Sequence, residues 1–280
     1  MPQSKVDLMF VVDNSGSMGN NQQDLSDGAV ELANKLSDPN KPVDWSAYIT
    51  TTDGGNAGMP AGSLVTYGPD TESTFTGDLK VGTGGSGFEQ CAAMAEKGLD
   101  WAKANISNDK FLRANAKLAI VCVSDEDDNS DANTDNNTTI SQAYKDLIAR
   151  LKNNYREDSA DATFSSIVGE PGCTTAHEVG TRQIWAADNS GGLHRSLCGN
   201  FADALSDFTE NVLNAPYCRD LPAIPDPETV SGTYNGEAIS AHDYEIVIDT
   251  AKNNAQICGD ALKQVGDYFF TGRKAGWSES

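Results

Sequence analysis

The chain has 280 residues, with 41 acidic against 20 basic side chains and a formal net charge of −21 at pH 7. That length can bury a full α/β core and still leave a smaller appendage. The acidity argues against nucleic acid and anionic membrane surfaces as partners, and favours cations or basic and metal-bridged ones. No stretch is long and apolar enough to span a bilayer. Met1-Pro2-Gln3-Ser4 does not read as a signal peptide, so the expectation is a domain excised from a longer exported protein.

In chain order, residues 5–13 form an apolar run that predicts a strand ending in Asp13. A helix is expected over 20–37, with Leu25, Ala29, Leu32, Ala33 and Leu36 on one face and a stop at Asp38-Pro39-Asn40. Residues 44–52 alternate Trp45, Ala47 and Ile49 with polar positions and read as a strand. The Gly-, Thr- and Asp-rich segment 53–80 holds a short edge strand at 64–67. A Gly-rich turn, Val81 to Gly87, opens a helix over 88–104, and a buried strand follows at 117–124. After an acidic, irregular stretch at 126–137 come a helix at 140–153, a strand at 163–168 and a helix at 175–187. A short strand at 193–197 and a helix at 199–213 close this part. Such alternation predicts an α/β fold, a doubly wound, mostly parallel sheet with helices on both faces.

The chemistry collects where strands end. Asp13, Ser15 and Ser17 stand at alternating positions after the first strand, so their side chains can converge on one side of an extended loop. Oxygen ligands of this kind suit a hard divalent cation. Neutral hydroxyls leave such an ion under-neutralised, so it still attracts an outside carboxylate. The bland reading of the same residues is an acidic turn with Ser17 as a helix N-cap. Asp125 ends the buried strand at 117–124, and Asp53 and Glu170 follow two others. In open α/β sheets, ligands bind outside these strand ends.

Asp13-x-Ser15-x-Ser17, a hydroxyl residue from the Gly-rich turn and Asp125 together resemble the von Willebrand factor A (vWA) family, whose metal-ion-dependent adhesion site (MIDAS) has these parts in this order. The resemblance covers residues 5 to 214. It implies a vWA domain at 1–214 that is a binding module and not an enzyme. Asp13, Ser15, Ser17, Thr83 and Asp125 would hold the cation, and a partner's acidic group would complete its shell. Thr83 has the family's residue type; Ser86 has the better spacing to the helix and stays open as the alternative. Asp53 and Glu170 would support the ligands or touch the partner, against the plainer reading that they cap loops or face solvent. Mg²⁺ is the expected ion, with Mn²⁺ or Ca²⁺ as alternatives. The partner would be a protein or glycan presenting a carboxylate, at the cell surface or outside it. The acidic run 123–128 and the tail look more like vWA proteins of bacterial envelopes than animal integrin domains. The rival reading is a vWA scaffold subunit of an ATPase or chelatase assembly, intracellular or periplasmic, or a structural domain with an empty site.

Six cysteines without a C-x-x-C pair speak against zinc and for an oxidising compartment. Cys173–Cys198 is the first disulfide expected, and Cys218–Cys258 the second. Cys91 and Cys122 read either as a pair or as two free core thiols. Residues 215–228 carry four prolines and read as a linker. Residues 229–280 contain strand patterns and an Asn235-Gly236 turn signal, which predicts a small β appendage.

Two motifs mislead. Gly82 to Gly87 satisfies G-x-G-x-x-G, but the preceding 76–80 is a poor buried strand and no acidic residue ends a strand some 20 residues on. Residues 125–137 resemble a calcium loop without its sixth-position Gly and twelfth-position Glu. No nucleophile elbow, P-loop or H-E-x-x-H motif appears.

Overall fold

The computed structural model describes residues 4–38, 43–66, 71–113, 116–131, 139–156, 162–214, 218–220, 225–226, 230–234, 237–240, 244–249, 254–258 and 268–271. By contacts the chain divides into two units, Gln3–Asn214 and Ala215–Ser280 with Met1–Pro2.

The larger unit is built on six strands: β1 (Ser4–Val12), β2 (Val43–Thr51), β3 (Val65–Thr66), β4 (Ala116–Ser124), β5 (Ala162–Val168) and β6 (His194–Ser196). Their order is β3-β2-β1-β4-β5-β6, and every pairing is parallel except β2 with the edge strand β3. The order reverses direction between β1 and β4. This is the topological switch point, where an open α/β sheet leaves a crevice for ligands. The expected doubly wound architecture is therefore present.

Six helices cover the sheet: α1 (Gly19–Leu36), α2 (Thr71–Asp78), α3 (Cys91–Asn105), α4 (Gln142–Asn153), α5 (Thr181–Ser190) and α6 (Phe201–Asn214). The central strands are buried on both faces, which is why they read as unbroken apolar runs. Val6, Leu8, Phe10 and Val12 face one layer, packed with Leu25, Leu32, Phe75, Leu205 and Phe208 of α1, α2 and α6. Met9 and Val11 face the other, with Cys91, Met94, Tyr144, Ile148 and Ala186 of α3, α4 and α5. Phe75 meets Phe10 and Trp45 edge to face, at centroid distances of 5.5 and 5.4 Å. Each such pair adds about 0.5–1.5 kcal/mol beyond area burial.

Two local expectations change. α2 was not expected: it buries only Thr71 and Phe75, too little apolar periodicity to register in the sequence. α5 begins at Thr181, not at Thr175. The residues before it are held as a loop, because the amides of His177 and Glu178 both donate to the Asp125 carbonyl, at 2.8 and 2.9 Å. Of the two readings left open for Cys91 and Cys122 the disulfide is present, and Cys173–Cys198 pairs as expected.

The smaller unit holds two three-stranded sheets. One has the order β10-β11-β7, from β7 (Cys218–Asp220), β10 (Glu245–Asp249) and β11 (Asn254–Cys258). The other has the order β12-β8-β9, from β8 (Ser231–Tyr234), β9 (Glu237–Ile239) and β12 (Tyr268–Thr271). β7 lies inside the stretch read as a linker, so part of 215–228 belongs to this unit's sheet. Tyr234 pairs with Glu237 across the two-residue turn position expected for Asn235-Gly236, which itself lies outside the described residues. Cys218 and Cys258 are register partners on antiparallel strands; their side chains also lie outside the described ones.

Candidate metal centre

Both halves of the candidate site stand at the switch point. Asp13 follows β1 and Asp125 follows β4, and their side-chain-bearing residues are 0% and 1% exposed. The Asp13 amide donates to the Val123 carbonyl at 2.9 Å, which extends the β1–β4 ladder by one residue. The Thr52 amide donates to the Val12 carbonyl in the same way on the other side. Thr52, Asp13 and Ser124 thus form one row across three neighbouring strands. Asp13 Oδ1 accepts the Ser15 amide at 2.7 Å, and Oδ2 accepts the Ser124 hydroxyl at 2.7 Å.

The two motif serines converge as alternation predicts. Ser15 Oγ and Ser17 Oγ are 3.1 Å apart, and the Ser17 hydroxyl donates to Asp125 Oδ1 at 3.2 Å. A run of side-chain oxygens, Ser15 Oγ, Ser17 Oγ and Asp125 Oδ1, therefore connects the loop after β1 to the end of β4, and the Ser15 amide ties it to Asp13. The N-cap reading of Ser17 fails. The residue sits inside a 3-10 turn, Gly16–Met18, and the N-cap of α1 is Met18.

The Gly-rich turn folds over this path. Gln22, 3% exposed, donates through its amide nitrogen to the carbonyls of Asp13 and Gly82, at 2.8 and 2.7 Å, and its carbonyl accepts the Gly82 amide at 3.2 Å. The Gly85 amide donates to the Asn14 carbonyl at 2.8 Å. A Cβ on Gly85 would fall 2.3 Å from Asn14 Oδ1, so a larger residue would have to displace the Asn14 side chain. The Thr83 methyl lies against Gly19, two residues beyond Ser17; a Cβ there would be 3.6 Å away. Ser86 turns elsewhere: its hydroxyl accepts the Phe88 amide, and its own amide donates to Asp53 at 3.4 Å.

Asp53 and Glu170 are engaged locally. Asp53 caps the 3-10 turn after β2 by accepting the Gly55 amide at 2.8 Å. Glu170 lies 2.9 Å from the Nδ1 of His194 on β6.

Sequence reasoning passed over Glu89, Thr52, Ser124 and Gln22. Glu89 precedes α3 and looks like an ordinary surface acid, yet it is 0% exposed. The Thr52 hydroxyl donates to its Oε2, while Oε1 has no partner among the described residues. Burial, then the charge of Asp13, pushes the Glu89 carboxyl up to about 8, and Glu126 and Asp125 add to the rise while Thr52 opposes it. Burial likewise raises Asp125 and Glu126, with Asp13 contributing to each. Among the described residues no lysine or arginine pairs with Asp13, Asp125 or Glu89. The donors present are two carboxylates joined by hydroxyls, the hard-oxygen set that Mg²⁺ or Mn²⁺ takes. The nearby Glu89 Oε1 is a buried acceptor without a partner among the described residues. Both observations fit a divalent cation.

The loops around this centre are anchored by charge. Asp128 accepts the Ala92 amide, the Ser130 amide and the Tyr144 hydroxyl, at 2.9, 3.0 and 2.9 Å. Its carboxyl is nevertheless pushed up to about 6, because burial outweighs these bonds. Arg182 at the start of α5 holds Asp127 through backbone and guanidinium, at 2.8 and 2.6 Å. The irregular segment read as an incomplete calcium loop is described only to residue 131. The helix α2, and not a strand, leads into the G-x-G-x-x-G turn, so the dinucleotide reading has no structural footing.

No protein-family model matches the chain, and no curated protein does. Among solved structures it is similar to a von Willebrand factor type A protein from Catenulispora acidiphila, at 12% identity over 95% of this chain and 57% of that one, with a TM-score of 0.49. It is also similar to proximal thread matrix protein 1 from the mussel byssus, at 14% identity, 77% and 49% coverage and a TM-score of 0.47. A third is manganese-loaded Plasmodium vivax TRAP, at 12% identity, 76% and 75% coverage and a TM-score of 0.46. The chain spans about half the length of the first two. The neighbours thus include vWA domains, and the architecture itself rests on the sheet order and register described above.

Proposed function

We propose that the larger unit is a binding module in which one divalent cation at the β1/β4 switch point captures an acidic group of a partner. The observation that carries this reading is the run of side-chain oxygens from Ser15 through Ser17 to Asp125, tied to Asp13 by the Ser15 amide, buried at its carboxylate ends and, among the described residues, without a paired lysine or arginine. Asp13, Asp125, Ser15 and Ser17 would hold the ion, Thr83 would approach from the Gly-rich turn, and Ser86 remains its alternative. The cation would supply Lewis acidity and positive charge toward an oxygen ligand. The chain's own residues fix the frame: Gln22 ties Asp13 to the turn, and the loop at 177–178 is bonded to the Asp125 carbonyl. The role is adhesion or recognition rather than catalysis, with Mg²⁺ first and Mn²⁺ or Ca²⁺ as alternatives. The partner is a protein or glycan bearing a carboxylate. Two disulfides suit an oxidising compartment and weigh against an intracellular scaffold.

The test is calorimetric titration of chelator-stripped protein with Mg²⁺, Mn²⁺ and Ca²⁺, beside Asp13→Ala, followed by binding to immobilised acidic peptides with and without chelator. Saturable cation binding lost in Asp13→Ala, with peptide capture only when the cation is present, is expected. A folded chain that takes up none of the three ions would leave the structural reading in its place.

A further inference from the structure

The buried stripe of α1, Leu25, Ala29, Leu32 and Leu36, reaches Gln22 when it is extended back by one turn. An amide therefore stands where the helical pattern calls for a core residue. Gln22 is 3% exposed, and its carboxamide is bonded to backbone outside its own helix. Nε2 donates to the carbonyls of Asp13 and Gly82, and Oε1 accepts the Gly82 amide. A carboxamide donates twice and accepts at the same time, which a hydroxyl or a carboxylate cannot do. Both polar backbone groups of Gly82 are thereby fixed relative to the backbone of Asp13. Tethering this connection to the helix does not need such a bond set. Ser26, four residues on, already donates to the Thr76 carbonyl at 2.8 Å.

The turn is pinned a second time at Gly85, whose amide donates to the Asn14 carbonyl. Between the two pins lie only Thr83 and Gly84, and of these only Thr83 has a side-chain oxygen. Its methyl lies beside Gly19, two residues past Ser17. Ser86 stands beyond the second pin, with its hydroxyl bonded to the Phe88 amide and its own amide to Asp53. Gly82 has a φ of +88°, a left-handed conformation that favours glycine, although a Cβ there would meet nothing. The glycine thus serves the shape of the turn, and Gln22 holds that shape in place.

We propose that Gln22 is a positioning residue of the cation site: by fixing Gly82 against Asp13 it presents Thr83, and not Ser86, to the ion. This rests on the cation reading above. Gln22 touches no ion and adds no charge. Its contribution is to order the turn before the ion arrives, as partners behind a metal's direct ligands do.

The test measures Mn²⁺ affinity by calorimetry for four chains: unaltered, Gln22→Met, Thr83→Val and the double variant. Methionine keeps the length of glutamine without its amide, and valine keeps the shape of threonine without its hydroxyl. Each single substitution is expected to lower affinity at least about tenfold. The double variant is expected to stay within about threefold of the weaker single one, because a residue that acts through another adds nothing once that other is gone. A merely structural role for Gln22 would make the two losses multiply. A double variant weaker than that limit overturns the proposal, and so does either single variant that loses less; both results leave intact the cation reading, which Asp13→Ala tests. An unaltered chain that binds no Mn²⁺ overturns both. Should Gln22→Met not fold, a Mn²⁺-loaded crystal of the unaltered chain decides. Thr83 Oγ1 bonded to the ion or to one of its waters, with Gln22 still bonded to Gly82, supports the proposal. Thr83 without that contact, Ser86 in its place, or Gln22 released from Gly82 overturns it.

Discussion

Asp7 and Asp13 lie on the same strand line, on the same face of the sheet, and both are 0% exposed. Their surroundings are opposite. Asp7 meets two guanidinium groups, Arg113 at 2.8 Å and Arg156 at 2.7 Å, and also accepts the Arg113 amide at 2.8 Å. Arg113 in turn donates to the carbonyls of Val6 and Asp44. Asp13 meets a backbone amide and a serine hydroxyl, and its charge adds to burial in raising the carboxyls of Glu89, Asp125 and Glu126. A buried charge persists only when it is compensated. One end of the sheet supplies its own compensation; at the other, among the described residues, no lysine or arginine does, and the proposed cation would. The same residue type is a structural element at one end and, on the proposed reading, a binding element at the other.

The comparison breaks if the two ends respond alike to substitution. The largest effect is expected for Asp7→Ala, which takes their shared carboxylate from two buried guanidinium groups, Arg113 keeping its pair with Asp44, and should cost about 3–5 kcal/mol in urea unfolding. That loss should be the same with or without added cation. Next is the paired Cys91→Ala/Cys122→Ala variant. The bond closes a separation of 31 residues, and chain entropy alone puts its loss at about 3–4 kcal/mol. Because it joins α3 to β4, the variant should also weaken Mn²⁺ binding in calorimetry, whereas Asp7→Ala should not once folded protein is compared.

A sharper contrast comes from carboxylates near the metal centre that are already satisfied. Tyr144→Phe removes one bond to Asp128 and should cost about 1.5–3 kcal/mol by chemical denaturation, with cation affinity little changed. The pH dependence should separate the same groups. The Glu89 carboxyl is raised from 4.5 to about 8 in the folded chain. The folded state therefore binds this proton more tightly than the unfolded one, and its contribution to stability is present below pH 4.5 and lost as pH rises toward 8. Asp128, raised to about 6, adds a loss of the same sign at the acidic end of that window. In chelator, melting temperature should fall across this range, and Glu89→Gln should flatten the upper part. The smallest effect is expected for Ser141→Ala. It removes the N-cap bond to the Tyr144 amide, costs about 1 kcal/mol, and should leave any cation-induced stabilisation unchanged.

Much of this was legible in the chain. Asp13, Ser15, Ser17 and Asp125 were readable because strand periodicity and loop alternation are local, and the switch point followed from the βα alternation. Cys173–Cys198 was legible because its partners flank one helix and one strand. What stayed hidden depended on distant pairing. Asp7 and Arg113 are 106 residues apart, and nothing near either announces the other. Glu89 reads as a solvated acid until β2 brings Thr52 beside it. α2 lacked an apolar stripe, and the late start of α5 is set by two amides that bond to Asp125 instead of continuing a helix.

The central claim is that the negative charge beside Asp13 is compensated from outside. Thermal unfolding of the unaltered chain and of Asp13→Asn, each in chelator and in excess Mn²⁺, tests it most directly. The account predicts that Mn²⁺ raises the melting temperature of the unaltered chain, by about 2.7 kcal/mol of stabilisation at a hundredfold excess over its dissociation constant. It also predicts that Asp13→Asn loses this shift while melting no lower in chelator. An unaltered chain whose melting is indifferent to Mn²⁺, Mg²⁺ and Ca²⁺, or an Asp13→Asn variant that keeps the full shift, would contradict it.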